Sequence, residues 1–540
     1  MNDKFFDFIA SPKKVLTCAA GVGVVMLVLA LIYPIIYRDS VNYMAASNAL
    51  WLHNWRTAFN LTIVPLLFIV SGLLQNLGLN ACQGLSLVSS LLAIGMLFLG
   101  YRVLSFYIDK RLAAWGSVLY FIIPPVFMIS FAPLTDSARW FSFLLCWWLI
   151  LLCLQHLRWY KLILLGVAYA IFALIRSEGI VFVGLLSVWF FFEQWRAQGW
   201  REGLRRWYKF AAVTIVPLVV MVVLLMPRLV QLRRETGFYA LDTRQVWAIK
   251  GALSHISSKG GDKLAADPLV TYKADDQFHY SYLRDGKMME RFWRNLFSGN
   301  YRAYTLFTLL GVLLTIRRRK WKYFHTLLCV FAAVNAFSYM LMRSMAGRYF
   351  YINTFLFMPF TLDGIIWAWE LLKKLPGKVG IVVRMLMPYA VCTFLTVSIL
   401  CGMKNIFSDE YDYYTAVGGF MKALPIAGGH TRSGTTHPVY LLLGPNYGWG
   451  FHCRGNELVY SNQFEMNKRY SVSDILTKGV PTEFCSFAVD PLKGVGVLKP
   501  DYVLVDDEED ADRLLADSMG MLEEIPQRAS SRVCIYRVKP

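Results

Sequence analysis

Residues 15–37 read VLTCAAGVGVVMLVLALIYPIIY and run directly into Arg38-Asp39-Ser40-Val41-Asn42-Tyr43. This is a 23-residue stretch without a charge, and about 20 apolar residues suffice to cross a bilayer core. It is too long for the apolar segment of a cleaved signal peptide. No small-x-small site closes it, so it reads as a retained helix. Ten further stretches of the same kind follow, at 81–101, 112–131, 140–157, 160–176, 179–195, 210–227, 303–316, 323–342, 350–370 and 381–402. Residues 58–78 are also apolar, but Asn60, Pro65, Gln75 and Asn76 interrupt them. They fit either another span or a helix lying in the interface.

The rest of the chain agrees with that beginning. Of 540 residues, 56% are apolar and 17% charged, against about 45–50% and about 25% in soluble globular proteins. This excludes a disordered, collagen-like or disulfide-framework chain and fits an ordinary soluble enzyme poorly. The net charge of +19 suggests nucleic acid only until its distribution is followed. With the N-terminus inside, the cytoplasmic loops are 1–14, 102–111, 158–161, 196–209, 317–322 and 373–384, and they hold 22 Lys and Arg. The short loops on the other side hold six: Arg38, Arg56, Arg139, Arg176, Arg343 and Arg348. The positive-inside rule then gives N-in and, with eleven spans, C-out. A crossing by 58–78 would move every later loop to the other side and spoil the asymmetry, which favours the interfacial reading. The positive charge is topology, and no nucleic-acid partner is needed to explain it.

Two segments are not membrane. Residues 228–300 form a mixed loop on the outer side. The tail from 404 to 540 holds strand-like runs at Val439–Leu443, Tyr502–Val505 and Val533–Val538, with a helix expected at Asp507–Met519. The expectation is a polytopic α-helical membrane protein of about 11 transmembrane helices plus interfacial helices, with a C-terminal extracytoplasmic α/β domain. The membrane domain takes 1–403, with outer loops 38–78 and 228–300, and the soluble domain takes 404–540. Six of the ten cysteines lie in apolar spans as small apolar residues. Cys453, Cys485 and Cys534 lie in the tail, where one disulfide is compatible with their number.

The informative polar residues sit beside the spans on the outer side. Asp39 ends the first span. It reads as a helix cap or partner of Arg38, or as a general base, because a carboxylate in a partly dry cleft takes a proton from a hydroxyl. Asp136 in Pro133-Leu134-Thr135-Asp136-Ser137 reads as a cap, with Thr135, for a helix starting near Ala138. Its alternative is a second acidic group that orients an acceptor or a metal. Arg176-Ser177-Glu178-Gly179 is a tight turn whose Arg–Glu pair is either a solvated surface pair or a phosphate-facing arginine with a carboxylate beside it. Arg343 and Arg348-Tyr349 occupy another outer turn. Three arginines at one leaflet fit a lipid-linked phosphate, or serve as anchors for anionic membrane lipid. No P-loop, GxGxxG or HExxH occurs, so nothing supports a nucleotide or zincin site.

In order and spacing these features resemble the GT-C superfamily of integral-membrane glycosyltransferases, of the family 39 and family 83 type, over about residues 15–370. That type includes the protein O-mannosyltransferases and the aminoarabinose transferase of lipid A. The matching elements are Asp39 after the first span, Ile123-Pro124-Pro125 through Asp136, Ala173-Leu174-Ile175-Arg176-Ser177-Glu178-Gly179, and Arg348-Tyr349 with Pro359 beyond. The chain departs from the pattern where Arg38 and Ser40 flank Asp39, since two adjacent acidic residues are common there. The resemblance implies an inverting transfer of a hexose or pentose from a polyprenyl-phosphate donor to a lipid, glycan or protein acceptor. It implies Asp39 as base and Arg176, Arg348 and Arg343 as donor-phosphate ligands. Asp136 and Glu178 would lie at the acceptor, with room for a divalent metal and no other cofactor. A bacterial inner membrane is the expected home. The rival reading is a transporter or flippase of a lipid-linked saccharide.

Overall fold

The computed structural model describes residues 11–33, 38–51, 64–242, 302–341, 347–374 and 376–403, with shorter pieces between and after them, including the strands of the tail. The described chain begins with α1 (Pro12–Ile32), α2 (Arg38–Trp51), α3 (Leu66–Gln75), α4 (Ala81–Leu104), α5 (Lys110–Phe121) and α6 (Pro124–Ser130). It continues with α7 (Asp136–Gln155), α8 (Trp159–Ile175), α9 (Gly179–Gln198), α10 (Trp200–Thr236), α11 (Arg302–Arg317) and α12 (Tyr323–Leu341). A short 3₁₀ turn, Gly347–Phe350, leads into α13 (Tyr351–Lys373), and α14 (Gly377–Met403) closes the helical part.

Each of the eleven apolar stretches falls on a helix or a broken helix pair. Six described helices are long and apolar enough to cross a membrane, and the bent pair α5–α6 makes a seventh. The apolar parts of α8, α11, α12 and α14 are shorter. The protein is a polytopic membrane protein. α3 has ten residues and rises only about 15 Å, half of a bilayer core, so residues 58–78 do not supply a continuous spanning helix.

Two expectations need correction. The span expected at 112–131 is not straight: α5 and α6 meet at an angle of 71°. The cause is local. Pro124 and Pro125 open α6, and Ile123 before them is extended at φ −56°, ψ 126°. A residue preceding proline is pushed out of the helical region, and proline itself donates no hydrogen bond. The outer loop expected from 228 begins as helix. α10 carries Pro217 and Pro227 inside it, continues to Thr236, and stops at Gly237, whose φ of 80° is the left-handed conformation glycine tolerates.

Two compact units divide the chain: 1–27, 89–131 and 135–404 in one, and 28–88, 132–134 and 405–540 in the other. The first unit is the main helical bundle. Its closest pairing is α11 against α13, where Gly311 faces the Phe360 carbonyl and Gly364 faces the Phe307 carbonyl. Between the two glycine contacts, Thr308 Oγ1 and Thr361 Oγ1 share a hydrogen bond of 2.7 Å. Small residues let helix backbones approach where no water drives them together. Aromatic rings of α7, α9 and α12 fill the interior, with Trp147 against Phe331 at 5.0 Å and Phe143 against Phe182 at 5.5 Å between ring centres.

In the second unit, α2 packs on α3 through Ser47, whose hydroxyl donates to Ser71 at 2.9 Å and accepts from Gln75 at 3.0 Å. The tail forms a five-stranded sheet of β1 (Val439–Leu443), β2 (Glu457–Tyr460), β5 (Tyr502–Val505), β6 (Leu522–Glu524) and β7 (Cys534–Val538), in the order β2-β1-β5-β7-β6. β1 is parallel to β2 and β5, while β7 is antiparallel to β5 and β6. β3 (Val480–Pro481) and β4 (Val497–Leu498) pair separately. The runs read as strands in the sequence are strands here, and β5 is buried along its whole length. The helix expected at Asp507–Met519, and Cys453 and Cys485, lie outside the described residues.

Candidate active site

Loops at one end of the bundle bring together four of the six residues singled out in the sequence. Asp136 is the first residue of α7, Arg176 and Glu178 form the turn between α8 and α9, and Arg348 lies in the 3₁₀ turn before α13. Arg176 is the centre. It is 5% exposed, its Nη1 donates to Thr135 Oγ1 at 3.0 Å, and its guanidinium carbon lies 5.0 Å from the Tyr349 ring centre. Its contacts to Glu178, at 3.4 Å from Nε and 3.5 Å from Nη2, are long, so this pair is held by charge more than by hydrogen bonding. The reading of Arg176 and Glu178 as a solvated surface pair is therefore overturned: both side chains are under 10% exposed. Arg348 approaches the same ring. Its guanidinium carbon is 5.1 Å from the Tyr349 centre, and its Nη2 donates to the Tyr349 hydroxyl at 3.2 Å. One tyrosine thus gathers two arginines, and the quadrupole of its ring favours both cations.

Asp136 is 1% exposed, and neither carboxylate oxygen has a hydrogen-bond partner among the described residues. It lies within electrostatic range of Tyr120, Tyr349 and Tyr351. The capping reading fails for both candidates. Thr135 stands at the cap position but makes no capping hydrogen bond, because its hydroxyl receives Arg176 instead. Asp136 lies inside the first turn, with nothing bonded to its oxygens. A buried carboxylate without a hydrogen-bond partner is costly. A bare pair of hard oxygens suits a hydroxyl, a cation or a metal. Among the described residues no three His, Cys, Asp or Glu side chains converge on one point.

The other two candidates are reached only in part. Asp39 is the second residue of α2, but its side chain lies outside the described residues, as does the whole of Arg343.

Two polar networks around the cluster were not anticipated. Arg139 was counted among the loop arginines, yet it sits in α7 at 2% exposure. Its Nη2 donates to Asn335 Oδ1 at 3.0 Å, and Asn335 Nδ2 reaches both the Tyr349 carbonyl, at 3.2 Å, and Asn353 Oδ1, at 3.0 Å. This network fixes the backbone of the turn that carries Arg348. The second joins Ser177 to Asp242 and Gln245, beyond the end of α10. The signals were faint: an arginine three residues into an apolar helix, and asparagines at 335 and 353 inside apolar runs, where polar residues are expensive and usually functional.

No protein-family model matches the chain, and no curated protein matches it either. Solved structures do. The oligosaccharyltransferase of Archaeoglobus fulgidus, tethered to an acceptor peptide, superposes with a TM-score of 0.55 at 12% identity, over 94% of this chain and 71% of that one. ArnT from Cupriavidus metallidurans, bound to undecaprenyl phosphate, superposes with a TM-score of 0.54 at 12% identity, over 96% of this chain and 97% of that one. The fold is GT-C. The likeness to ArnT spans both chains almost end to end, so in this GT-C fold the strand-bearing tail belongs to the shared architecture along with the helices.

Proposed function

We propose that this GT-C protein is an inverting glycosyltransferase that moves a sugar from a polyprenyl phosphate to an acceptor hydroxyl at the outer face of a membrane. The observation that carries the reading is the pair of arginines around Tyr349, one of them buried, beside the unpartnered carboxylate of Asp136. Two guanidinium groups suit the phosphate of a lipid-linked donor, since planar, fixed donors match its oxygens. Arg343 is the third arginine in this reading. The acceptor oxygen attacks the anomeric carbon, the bond from that carbon to the phosphate oxygen breaks, and polyprenyl phosphate leaves with the electron pair. The acceptor proton passes to Asp39. The leaving group departs as an anion, so cationic stabilisation replaces a protonating acid. Asp136 and Glu178 orient the acceptor, and Asp136 is the residue that would hold a divalent metal if one assists. Residues 1–403 carry the chemistry, and 404–540 form an outer domain at the acceptor side. The basic loops, with the run Arg317-Arg318-Arg319-Lys320, face the cytoplasm of a bacterial inner membrane in this reading.

The test compares purified wild type with Asp39→Asn, using a radiolabelled polyprenyl-phosphate-sugar extract as donor. Asparagine keeps the size of the side chain but accepts no proton at neutral pH. Transfer by wild type and a loss of about 10²-fold or more in the variant is the expected result. Equal transfer by both would remove Asp39 from the mechanism.

A further inference from the structure

The turn Arg176-Ser177-Glu178 is held from outside by a segment more than sixty residues further along the chain. Ser177 Oγ donates to Asp242 Oδ2 at 2.6 Å, and Gln245 Nε2 donates to the Ser177 carbonyl at 3.0 Å. Asp242 is 3% exposed, and its second oxygen accepts from the Gln245 backbone N–H at 2.9 Å. Gln245 Oε1 accepts from the Leu241 N–H at 2.8 Å, which closes the segment on itself. The segment is in turn fixed to α10, where the buried Arg228 donates from Nε to the Leu241 carbonyl at 2.9 Å and from Nη1 to Gln231 at 2.8 Å. On its inner side the turn has no slack, because a Cβ on Gly179 would lie 2.8 Å from the Phe172 carbonyl oxygen.

We propose that Asp242, acting through Ser177, is a positioning residue for Arg176: the segment after α10 latches the turn so that the guanidinium points to Thr135 and Tyr349. The proposal rests on the reading of Arg176 as a donor-phosphate ligand. Hydrogen bonds to a charged acceptor are the strong ones. Of the contacts that tie this segment to the turn, the short Ser177–Asp242 bond has that character. Ser177 adjoins Arg176, so freeing its side chain loosens the residue that must present the cation. The latch also ties the phosphate end of the site to the segment that opens the outer loop, so a change in one is felt in the other.

Two readouts on the full-length purified protein separate this from the functional reading. The first is hydrogen exchange at the amides of Gly179, Ile180 and Val181, which bond back to the carbonyls of Arg176, Ser177 and Glu178. The second is the Kd for undecaprenyl phosphate, used as the probe. In Ser177→Ala, exchange at these amides should accelerate and the Kd should rise, each by about tenfold. Ser177→Thr keeps the hydroxyl and should restore both. If Ser177→Ala folds poorly, Asp242→Asn carries the test. It keeps an acceptor for Gln245, removes the charge facing Ser177, and should move both readouts in the same direction. A lowered melting temperature with unchanged exchange and unchanged Kd would overturn the proposal, leaving the bond a plain packing contact. Wild type that does not bind undecaprenyl phosphate would defeat the functional reading, and the exchange result alone would then decide whether the latch exists.

Discussion

Arg176→Ala is expected to lower sugar transfer by about 10²- to 10³-fold, the usual loss when one preorganised group that stabilises a developing charge is removed. The guanidinium is buried and already aimed, with one donor on Thr135 and its plane near Tyr349. In the proposed reaction it therefore needs little reorganisation when the phosphate leaves. The same substitution takes the arginine away from the largely buried Glu178 carboxylate, and breaking a buried ion pair costs about 3 kcal/mol or more. The two effects separate in a double variant. Adding Glu178→Gln to Arg176→Ala removes the carboxylate charge and should restore part of the lost thermal stability while transfer stays below that of Glu178→Gln alone, the single variant that gives the acceptor-side share of the loss. Arg176→Lys should keep stability near wild type and recover transfer only in part, because an ammonium keeps the charge but not the fork. The measurements are a thermal melt in detergent and initial transfer rates. Recovery of transfer in the Arg176→Ala/Glu178→Gln double variant would mean that the arginine acts only as a structural counterion.

The second large effect concerns the bundle. The same change, glycine to alanine, should have opposite consequences at two positions. A Cβ at Gly311 runs into the Phe360 carbonyl, and one at Gly364 runs into the Phe307 carbonyl. A main-chain atom of a neighbouring helix cannot rotate aside, so α11 and α13 must separate and strain the Thr308–Thr361 hydrogen bond between them. Gly311→Ala should therefore destabilise by about 2–3 kcal/mol, the range of a forced overpacking. A Cβ at Gly21 in α1 meets nothing within 4 Å. Alanine there should be neutral or stabilise by up to about 1 kcal/mol, since it restricts the helix backbone that glycine leaves free. Melting curves of the two variants measured side by side check this. A neutral Gly311→Ala would contradict the tight α11–α13 pairing, and a destabilised Gly21→Ala would contradict the open space beside α1.

How far the sequence could be read depended on which physical signal a feature left in it. Apolar runs are long-range statistics, and all eleven fell on helices because a bilayer demands such runs and tolerates few charges in them. The strands of the tail were legible from short β-rich runs between turns, with β1 and β5 at the expected bounds. The break between α5 and α6 was written in Pro124-Pro125, but hydropathy averages over such pairs and reported one span. The end of α10 was missed for the opposite reason. Residues 228–236 are polar enough to look like loop, yet they continue a helix already nucleated upstream.

At the site, Arg176, Glu178, Asp136 and Arg348 stood out as charges beside apolar runs. Their burial did not, because exposure is decided by what packs over a turn, and for Arg176 that is Thr135 and Tyr349, residues distant in the chain. Asp242 and Asn335 were beyond reach for the same reason. Asp242 bonds to a residue 65 positions away and Asn335 to one 196 positions away, and no local pattern announces such a bond.

The claim that the protein breaks and remakes a glycosidic bond, and does not merely carry a lipid-linked sugar across a bilayer, is tested most directly in reconstituted vesicles. Wild-type protein is supplied with a polyprenyl-phosphate sugar extract labelled in the sugar, together with membrane lipid and glycan acceptors. The account predicts that the label leaves the polyprenyl phosphate and appears on an acceptor, with one polyprenyl monophosphate released per sugar transferred. Intact donor that crosses to the opposite leaflet with no monophosphate formed would contradict it.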